Sequence, residues 1–158
     1  MYTTREIAFY APTPIPTNKI ITLDFFSVTG KYLLASASTE ALSHALYHSP
    51  FCVLSHNTEV DPLFNYANKT AQVLFEMSWD ELTSLPSRMS AEPIGQQERN
   101  TLLSRVREHG FIDDFTGIRV SATGKKILIT DAIVWDIRDE HDICHGQAAV
   151  LYSWTCQP

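Results

Sequence analysis

Apolar residues recur at helical spacing near the start of the chain. Between Lys19 and Leu34 they fall on one helical face, which predicts an amphipathic helix. A second helix is predicted over Thr39 to His48, where a serine stands at the cap position and a proline lies beyond the end. Residues 1–18 are rich in proline and favour extended conformations, so we expect a flexible arm there. We therefore expect a helical extension over residues 19–49.

Two short strands and then three helices are predicted in the middle of the chain. Phe51–Leu54 and Leu63–Tyr66 are apolar runs bounded by proline, asparagine and aspartate, a pattern typical of strands. Ser78 and Glu81 have the spacing of a capping box, which marks a helix start. The predicted helices cover Asn68–Met77, Trp79–Ser84 and Pro93–Gly110.

After Gly110 the apolar pattern changes from a helical period to a period of two, which predicts three antiparallel strands. Turns are expected at Thr123–Gly124 and across Arg138–Asp142. In the last strand the alternation places Leu151 on the opposite face from Val150. In the middle strand an apolar face, interrupted by Asp131, is predicted to hold Ile127, Ile129, Ile133, Trp135 and Ile137.

Composition and charge narrow the class of protein. The 158 residues, 44% hydrophobic and 19% charged, are typical of one globular domain. A net charge of -6 argues against a nucleic-acid partner, because binding to phosphates needs clustered basic residues. The apolar stretch Ile20–Ala37 is interrupted by Asp24 and Lys31, so no membrane span is expected. The three scattered cysteines suggest a reducing compartment, and we expect a cytoplasmic protein.

The predicted order of elements is that of a PAS domain, an α+β fold whose five-stranded antiparallel sheet carries helices over one face. Local sequence is also similar, since Leu63–Asn68 and the capped Ser78–Leu82 look like the second strand and a helical turn of that fold. More narrowly, the chain resembles the MEKHLA domain family, a PAS-related group. The similar blocks are Pro50–His56, Asp61–Pro62, Asn65–Asn68, Leu74–Leu82, Pro86–Arg88, Ser90–Pro93, Gly117–Gly124 and Gly146–Ala149.

The resemblance implies a sensory or regulatory module over residues 50–158 that binds a small organic ligand or a protein partner. It does not itself name a ligand. Neither a homeodomain nor a leucine zipper precedes the matching blocks, which predicts the stand-alone form of the family. Function inferred from a fold alone is an analogy, so the residues of a candidate site have to carry it.

Polar residues among large aromatics suggest where a ligand would bind. On the PAS plan the middle helices lie over the sheet and leave a pocket between them, the usual kind of ligand site. An alternative is that Asn68 caps its helix, that Ser87 and Arg88 brace a loop, and that the tryptophans fill the core. The candidate ligand-binding residues are Asn65, Tyr66, Asn68, Trp79, Ser87, Arg88, Asp131, Trp135 and Gln147.

The chain does not have the sequence contexts of common PAS cofactors, and we expect none. Photosensory relatives attach flavin through a cysteine in an Asn-Cys-Arg type motif, and none of the three cysteines has that context. The one histidine of the long helix that could ligate haem, His109, stands at its very end. His44 and His48 share a helical face, but a third metal ligand is not nearby, so no metal site is expected.

Two other functions are left open. A small hydrolase or isomerase could use the same pocket, with Arg88 binding an anionic group and His56 or Asp131 as the base. Burial of the Asp131 carboxylate would favour the hypothesis of a hydrolase or isomerase. A pure dimerisation module is the other, because the apolar stripe between residues 19 and 34 could pair with its copy or cover an outer sheet face that includes Leu151.

Overall fold

A computed structural model describes residues 39–91, 93–139 and 141–157. The arm predicted over residues 1–18 and the helix predicted over residues 19–34 lie outside these ranges. The helix predicted from Thr39 is present and ends at Tyr47.

The described residues form an antiparallel sheet and a set of helices between its second and third strands. The strands are β1 (Cys52–His56), β2 (Phe64–Ala67), β3 (Phe111–Val120), β4 (Lys126–Arg138), β5 (Cys144–Leu151) and β6 (Ser153–Gln157). The helices are α1 (Thr39–Tyr47), α2 (Lys69–Phe75), α3 (Trp79–Leu82) and α4 (Pro93–His109), with a 3-10 turn over Ser87–Ser90. The strand order is β2-β1-β5-β4-β3, and β6 also pairs with β4. This is the predicted PAS-like α+β arrangement.

Local capping signals start α2 and α3 and end α4 where the sequence predicts, whereas α2 ends at Phe75 and α3 at Leu82, two residues before the predicted ends. Asn68 caps α2, and the capping box between Ser78 and Glu81 is formed at the start of α3. Gly110 ends α4 with φ of 85°, a left-handed conformation that glycine adopts without steric cost.

The sheet has six strands rather than the five expected, because the last predicted strand is broken. β5 ends at Leu151, the chain bends at Tyr152, and β6 then pairs with the first half of β4. Leu151 alternates with Val150 as predicted, but the face opposite Val150 is the helix-covered one, and Leu151 belongs to the same core cluster as Leu54. The prediction that Leu151 makes the outer face apolar was therefore wrong.

A β-bulge in β4 changes which face its side chains reach. Phe115 lies opposite Ala132 and Gly117 opposite Ile129, so one β3 residue faces two β4 residues, Thr130 and Asp131. Asp131 has φ of 52°, a left-handed conformation. Before the bulge Ile127 and Ile129 pack in the core under the helices; beyond it Ile133, Trp135 and Ile137 pack on the other face. The single apolar face predicted for this strand was wrong.

The two sheet faces carry separate cores. The inner face is covered by α2, α3 and α4, whose buried Ala71, Leu74, Leu82, Leu102 and Val106 pack there. The outer face carries a second cluster that includes Leu46 of α1. Its sheet members are Val53, Tyr66, Trp135, Ile137, Ala148 and Val150. A ligand site in this fold can therefore lie on one face without involving the other.

Candidate functional site

A cavity lies on the inner face, between α4 and the sheet. Its volume is about 90 Å³. Most of its wall is apolar, and a small number of polar side chains reach it, which is the general composition of a ligand site. The apolar wall consists of Leu54, Phe64, Phe75, Leu102, Leu103, Phe115, Ile129, Ala132, Val134, Ala148, Ala149 and Leu151. The polar side chains are Ser55, His56, Ser87, Ser90, Arg119 and Gln147.

The polar groups at the β1 and β3 sides of the cavity have partners within the protein. Ser55 Oγ donates to Asn65 Oδ1 at 2.6 Å, so Asn65 acts on the cavity wall through that serine. Arg119 is buried on β3, with its guanidinium 5.0 Å from the ring centroid of Phe115 and a hydrogen bond from Nη1 to the carbonyl of Ile118. These contacts fix the shape of the wall.

Gln147 is the centre of a short polar chain at one end of the cavity. The residue is 9% exposed, and its Nε2 donates to Asp136 Oδ1 at 2.7 Å. Asp136 is buried as well and lies 3.7 Å from Arg138 Nη2. Gln147 Oε1 is buried and has no hydrogen-bond partner among the residues that the structure describes.

A more open groove of about 340 Å³ adjoins this end of the cavity. His56, Leu103 and Gln147 line both spaces, so they form the partition between them. Most of the residues that line the groove are polar or charged, among them Arg107, Arg138 and Asp136. The apolar cavity therefore has a polar neighbour on the side of Gln147.

Two of the nine predicted site residues, Ser87 and Gln147, line the cavity, and Asn65 holds its wall through Ser55. Ser87 lies in the 3-10 turn, where its backbone N–H donates to the carbonyl of Pro62 at 2.8 Å.

Asn68 is fully buried and is used within the protein. Its Oδ1 accepts from the backbone N–H groups of Val53 and Ala71, both at 3.0 Å. Its Nδ2 donates to the carbonyls of Leu46 and Phe51 and to Ser49 Oγ. Asn68 does not line the cavity, and the capping role that the sequence offered as the alternative is the one it fills.

Tyr66, Trp79 and Trp135 lie on the outer face rather than beside the cavity. Trp135 is fully buried in the outer cluster, and Trp79 packs against Tyr66 edge-to-face at 5.5 Å between ring centroids. The bulge at Asp131 explains the difference for Trp135, since the extra residue turns every later side chain of β4 to the opposite face. The pocket predicted to join these aromatics with Gln147 is not formed.

Arg88 and Asp131 are exposed. Arg88 Nε donates to Asp61 Oδ1 at 3.1 Å and so braces the loop between β1 and β2. Asp131 stands at the bulge and is not buried on an apolar strand face, contrary to the condition that would have favoured it as a base. Neither residue lines the cavity.

Two residues of the site were not predicted from the sequence: Arg119, which lines the cavity, and Asp136, which holds Gln147. Along a regular strand, Asp136 would share the polar side of β4 with Lys126, which is exposed. Beyond the bulge that side is the helix-covered one, and Asp136 is buried there beside Gln147. On β3, Arg119 is two residues from Gly117 and four from Phe115, so all three lie on the same, buried face of the strand. That alternation is the one signal in the sequence that could have placed Arg119 at the cavity.

The cavity does not fit a flavin or a haem as it stands. Sites for molecules of that size measure roughly 300 to 1,000 Å³, against about 90 Å³ here. None of the cysteines, at Cys52, Cys144 and Cys156, belongs to the cavity wall. His109 is exposed at the end of α4. Within the described ranges, no group of histidine, cysteine or acidic side chains is placed to hold a metal ion.

Solved structures with the same fold are PAS and light-oxygen-voltage domains. The PAS domain of a protein from Colwellia psychrerythraea superposes with a TM-score of 0.59 at 15% identity, covering 72% of this chain and 94% of that chain. The light-state dimer of the fungal blue-light photoreceptor Vivid gives a TM-score of 0.61 at 10% identity, covering 90% of this chain and 99% of that chain. At these identities the similarity shows the fold, which is PAS-like.

The family is shown by the sequence. The profile of the MEKHLA domain matches residues 17–156, and the chain belongs to the MEKHLA domain family. The match includes residues 19–49, which we predicted to be an extension outside the domain; that boundary stays a prediction.

Curated relatives are plant homeobox-leucine zipper proteins. HOX29 of Oryza sativa subsp. indica is 23% identical over 122 residues, which is 77% of this chain and 14% of the relative. ATHB-9 of Arabidopsis thaliana is 24% identical over 101 residues, which is 64% of this chain and 12% of the relative. The chain thus spans about a seventh of the length of such relatives. In the part of the chain that the structure describes, no helix is long and apolar enough to cross a membrane.

Proposed function

We propose that this MEKHLA domain is a sensory or regulatory module whose inner cavity takes a small organic ligand and whose state is read by a protein partner. The observation that carries the proposal is the cavity under α4, with an apolar wall and a buried polar chain at one end. A cavity of this kind costs packing energy, because its lining atoms lose contacts on one side. Occupancy by a ligand would recover those contacts.

A regulatory role is supported over catalysis by where the reactive side chains lie. An acid-base reaction needs a titratable group within hydrogen-bond reach of the reacting atom. Arg88 and Asp131, two of the three residues considered for an enzyme, are exposed and outside the cavity wall. The third, His56, lies at the partition, and its Nδ1 is 2.9 Å from the carbonyl oxygen of Asn57. The three residues of the enzyme hypothesis therefore do not meet at the cavity, which supports a binding role.

Occupancy of the cavity has a physical route to the rest of the molecule. Leu102 and Leu103 of α4 form part of the cavity wall, so a ligand would press directly on that helix. Conversion of such a displacement into a signal requires a ligand that binds one conformation more tightly than the other. We propose a second copy of this chain as the partner, since Vivid, which has a similar fold, forms a light-state dimer.

The test measures ligand binding to the full chain in two ways. Native mass spectrometry detects a retained small molecule, and an NMR titration detects binding of thiophene, a compact apolar ring. We expect the native protein to retain or take up a small molecule. We also expect thiophene to shift the NMR signals of the cavity wall. Ala149 lies in that wall, so Ala149→Leu should fill the cavity and abolish both effects. The matched control is Ala122→Leu in the exposed turn between β3 and β4, which should bind as wild type does.

The same spectra test the alternatives. A wild-type chain that neither retains a small molecule nor responds to thiophene would contradict the ligand-binding proposal. If that chain also gave only the mass of two copies, the dimerisation module would be the better description.

A further inference from the structure

We propose that the cavity selects compact neutral ligands that donate an N–H or O–H group to Gln147 Oε1. This inference rests on the proposed ligand-binding function and names the chemical class of its ligand. It depends on three features of the described residues: an acceptor without a donor, an amide held in one orientation, and a mainly apolar wall.

The acceptor is Gln147 Oε1. The side chain is nine-tenths buried and lines both the cavity and the adjoining groove. In the described part of the chain this oxygen has no hydrogen-bond donor. A buried carbonyl oxygen without a donor is costly, so a ligand that supplies an N–H or O–H gains the energy that the folded protein alone leaves unused.

The amide orientation is determined by Asp136. Gln147 Nε2 donates to Asp136 Oδ1 at 2.7 Å, and an ionised carboxylate can only accept. Turning the amide over would place Gln147 Oε1 against the carboxylate and lose that hydrogen bond. Asp136 is held in turn by Arg138, 3.7 Å from its Oδ2, and by its own backbone N–H, which donates to the carbonyl of Gly110. Asp136 is thus a positioning residue that keeps Gln147 an acceptor towards the ligand.

The rest of the cavity limits the size and charge of the ligand. Side chains such as Leu102, Phe115 and Val134 surround a space of about 90 Å³. An engineered cavity of about 150 Å³ holds benzene, so a ring smaller than benzene suits this one. A charged ligand would have to lose its hydration in a mainly apolar space, which is strongly unfavourable without a paired counter-charge. Arg119, the charged side chain of the wall, is already held by the Phe115 ring and the carbonyl of Ile118. The class that fits is a small neutral ring or chain with one donor.

Pyrrole and furan test the inference directly, because they have nearly the same shape. Pyrrole carries an N–H donor, whereas furan carries an acceptor oxygen in its place. We would titrate each ring into the full chain and follow the cavity-wall signals by NMR. Pyrrole should bind about tenfold more tightly than furan or better, as expected for a hydrogen bond to a buried, otherwise unpaired acceptor. Water solvates the pyrrole N–H well, so transfer out of water alone would favour furan.

Variants assign the preference to Gln147. Gln147→Met keeps a side chain of similar length without the amide, and the pyrrole preference should disappear while furan binding remains. Asp136→Asn should reduce the preference, because asparagine can either donate or accept and lets the Gln147 amide turn over. Gln157→Met on exposed β6 is the matched control and should keep the wild-type ratio. Should Gln147→Met fail to fold, the wild-type ratio and Asp136→Asn still decide the matter.

The outcomes separate this inference from the function on which it rests. Equal affinity for pyrrole and furan would overturn donor selection and leave the ligand cavity intact. A preference that survives Gln147→Met would overturn the role of Gln147. Failure of both rings and of thiophene to bind would overturn the proposed function itself.

Discussion

At the scale of single residues, Asn68 shows how one buried amide connects distant parts of the chain. Its five hydrogen bonds join the end of α1, the start of β1 and the first turn of α2. The segment around Ser49 is held from α2 a second time, because Thr70 Oγ1 donates to the carbonyl of Ser49 at 2.6 Å. Asn68 therefore stabilises the fold of the domain. The sequence had also suggested Asn68 as a ligand contact.

Asn68→Ala should destabilise the protein by about 3 to 5 kcal/mol, because it leaves two buried N–H groups and two buried carbonyls with fewer partners and removes a helix cap. Urea denaturation of the full chain measures the change. Asn57→Ala is the matched control: Asn57 accepts from the backbone N–H groups of Glu59 and Leu63 in a partly exposed loop, and its loss should cost about 1 kcal/mol. Equal losses for the two variants would contradict the assigned role of Asn68.

At the scale of elements, the C-terminus of α2 is joined to the turn between β3 and β4. Glu76 caps α2 in a left-handed conformation and accepts hydrogen bonds from Ser121 Oγ, at 2.6 Å, and from Thr123 Oγ1. Lys125 Nζ lies 3.8 Å from the same carboxylate. The hydrogen bonds from Ser121 and Thr123, with a smaller effect of Lys125, lower the pKa of Glu76. This contact holds a helix over the inner face from the far end of the sheet.

The lowered pKa gives Glu76 a pH-dependent effect on stability. A carboxylate whose pKa is lower in the folded state stabilises the fold above its unfolded-state pKa, about 4.3, and that stabilisation is lost as the pH falls through the folded-state value. Glu76→Gln should therefore lower the melting temperature at pH near 7, and the difference from wild type should shrink below pH of about 4. Thermal melts across this pH range measure the difference.

Glu98→Gln, the same substitution at an exposed position of α4, serves as the control for the Glu76 experiment. It should leave the melting temperature nearly unchanged at neutral pH. A constant difference between wild type and Glu76→Gln from neutral to acid pH would show that the carboxylate charge is not what stabilises this contact.

At the scale of the whole molecule, the sheet separates two cores with different contents. The inner core contains the cavity and the Gln147 chain, and the outer core contains Trp135, Tyr66 and Leu46. Of the three tryptophans, Trp79 and Trp135 pack with the outer cluster and Trp154 packs against the inner one. Tryptophan fluorescence therefore reports on both faces, and Trp154 is the reporter on the side of the cavity.

The purified 158-residue chain should be colourless. The cavity is far smaller than a flavin or haem requires, and its wall contains no cysteine. Visible absorption of the native protein and of the supernatant after denaturation measures any retained chromophore, and gel filtration after incubation with flavin mononucleotide should show no co-eluting flavin. A stoichiometric visible band would show that the cavity opens to admit a chromophore and would contradict this prediction.

Much of the fold followed from local patterns. Helix α4 from Pro93 to His109, the capping box at Ser78 and the change to a period of two after Gly110 depend on residues close in sequence, so they could be predicted correctly. The similar blocks likewise identified the family, which the profile match confirmed. These features are encoded within a few residues of where they appear.

The site depended on contacts that no local pattern contains. The alternation in β4 predicts one continuous face, but the bulge at Asp131 arises from pairing with β3 and turns Trp135 away from the helices. The same bulge brings Asp136 to the inner face, where its neighbour across the strands is Gln147. Local patterns were therefore enough to predict the family and most of the elements. Which polar side chains meet at the cavity is known only from the folded chain, because the register between strands distant in sequence sets the face that each side chain reaches.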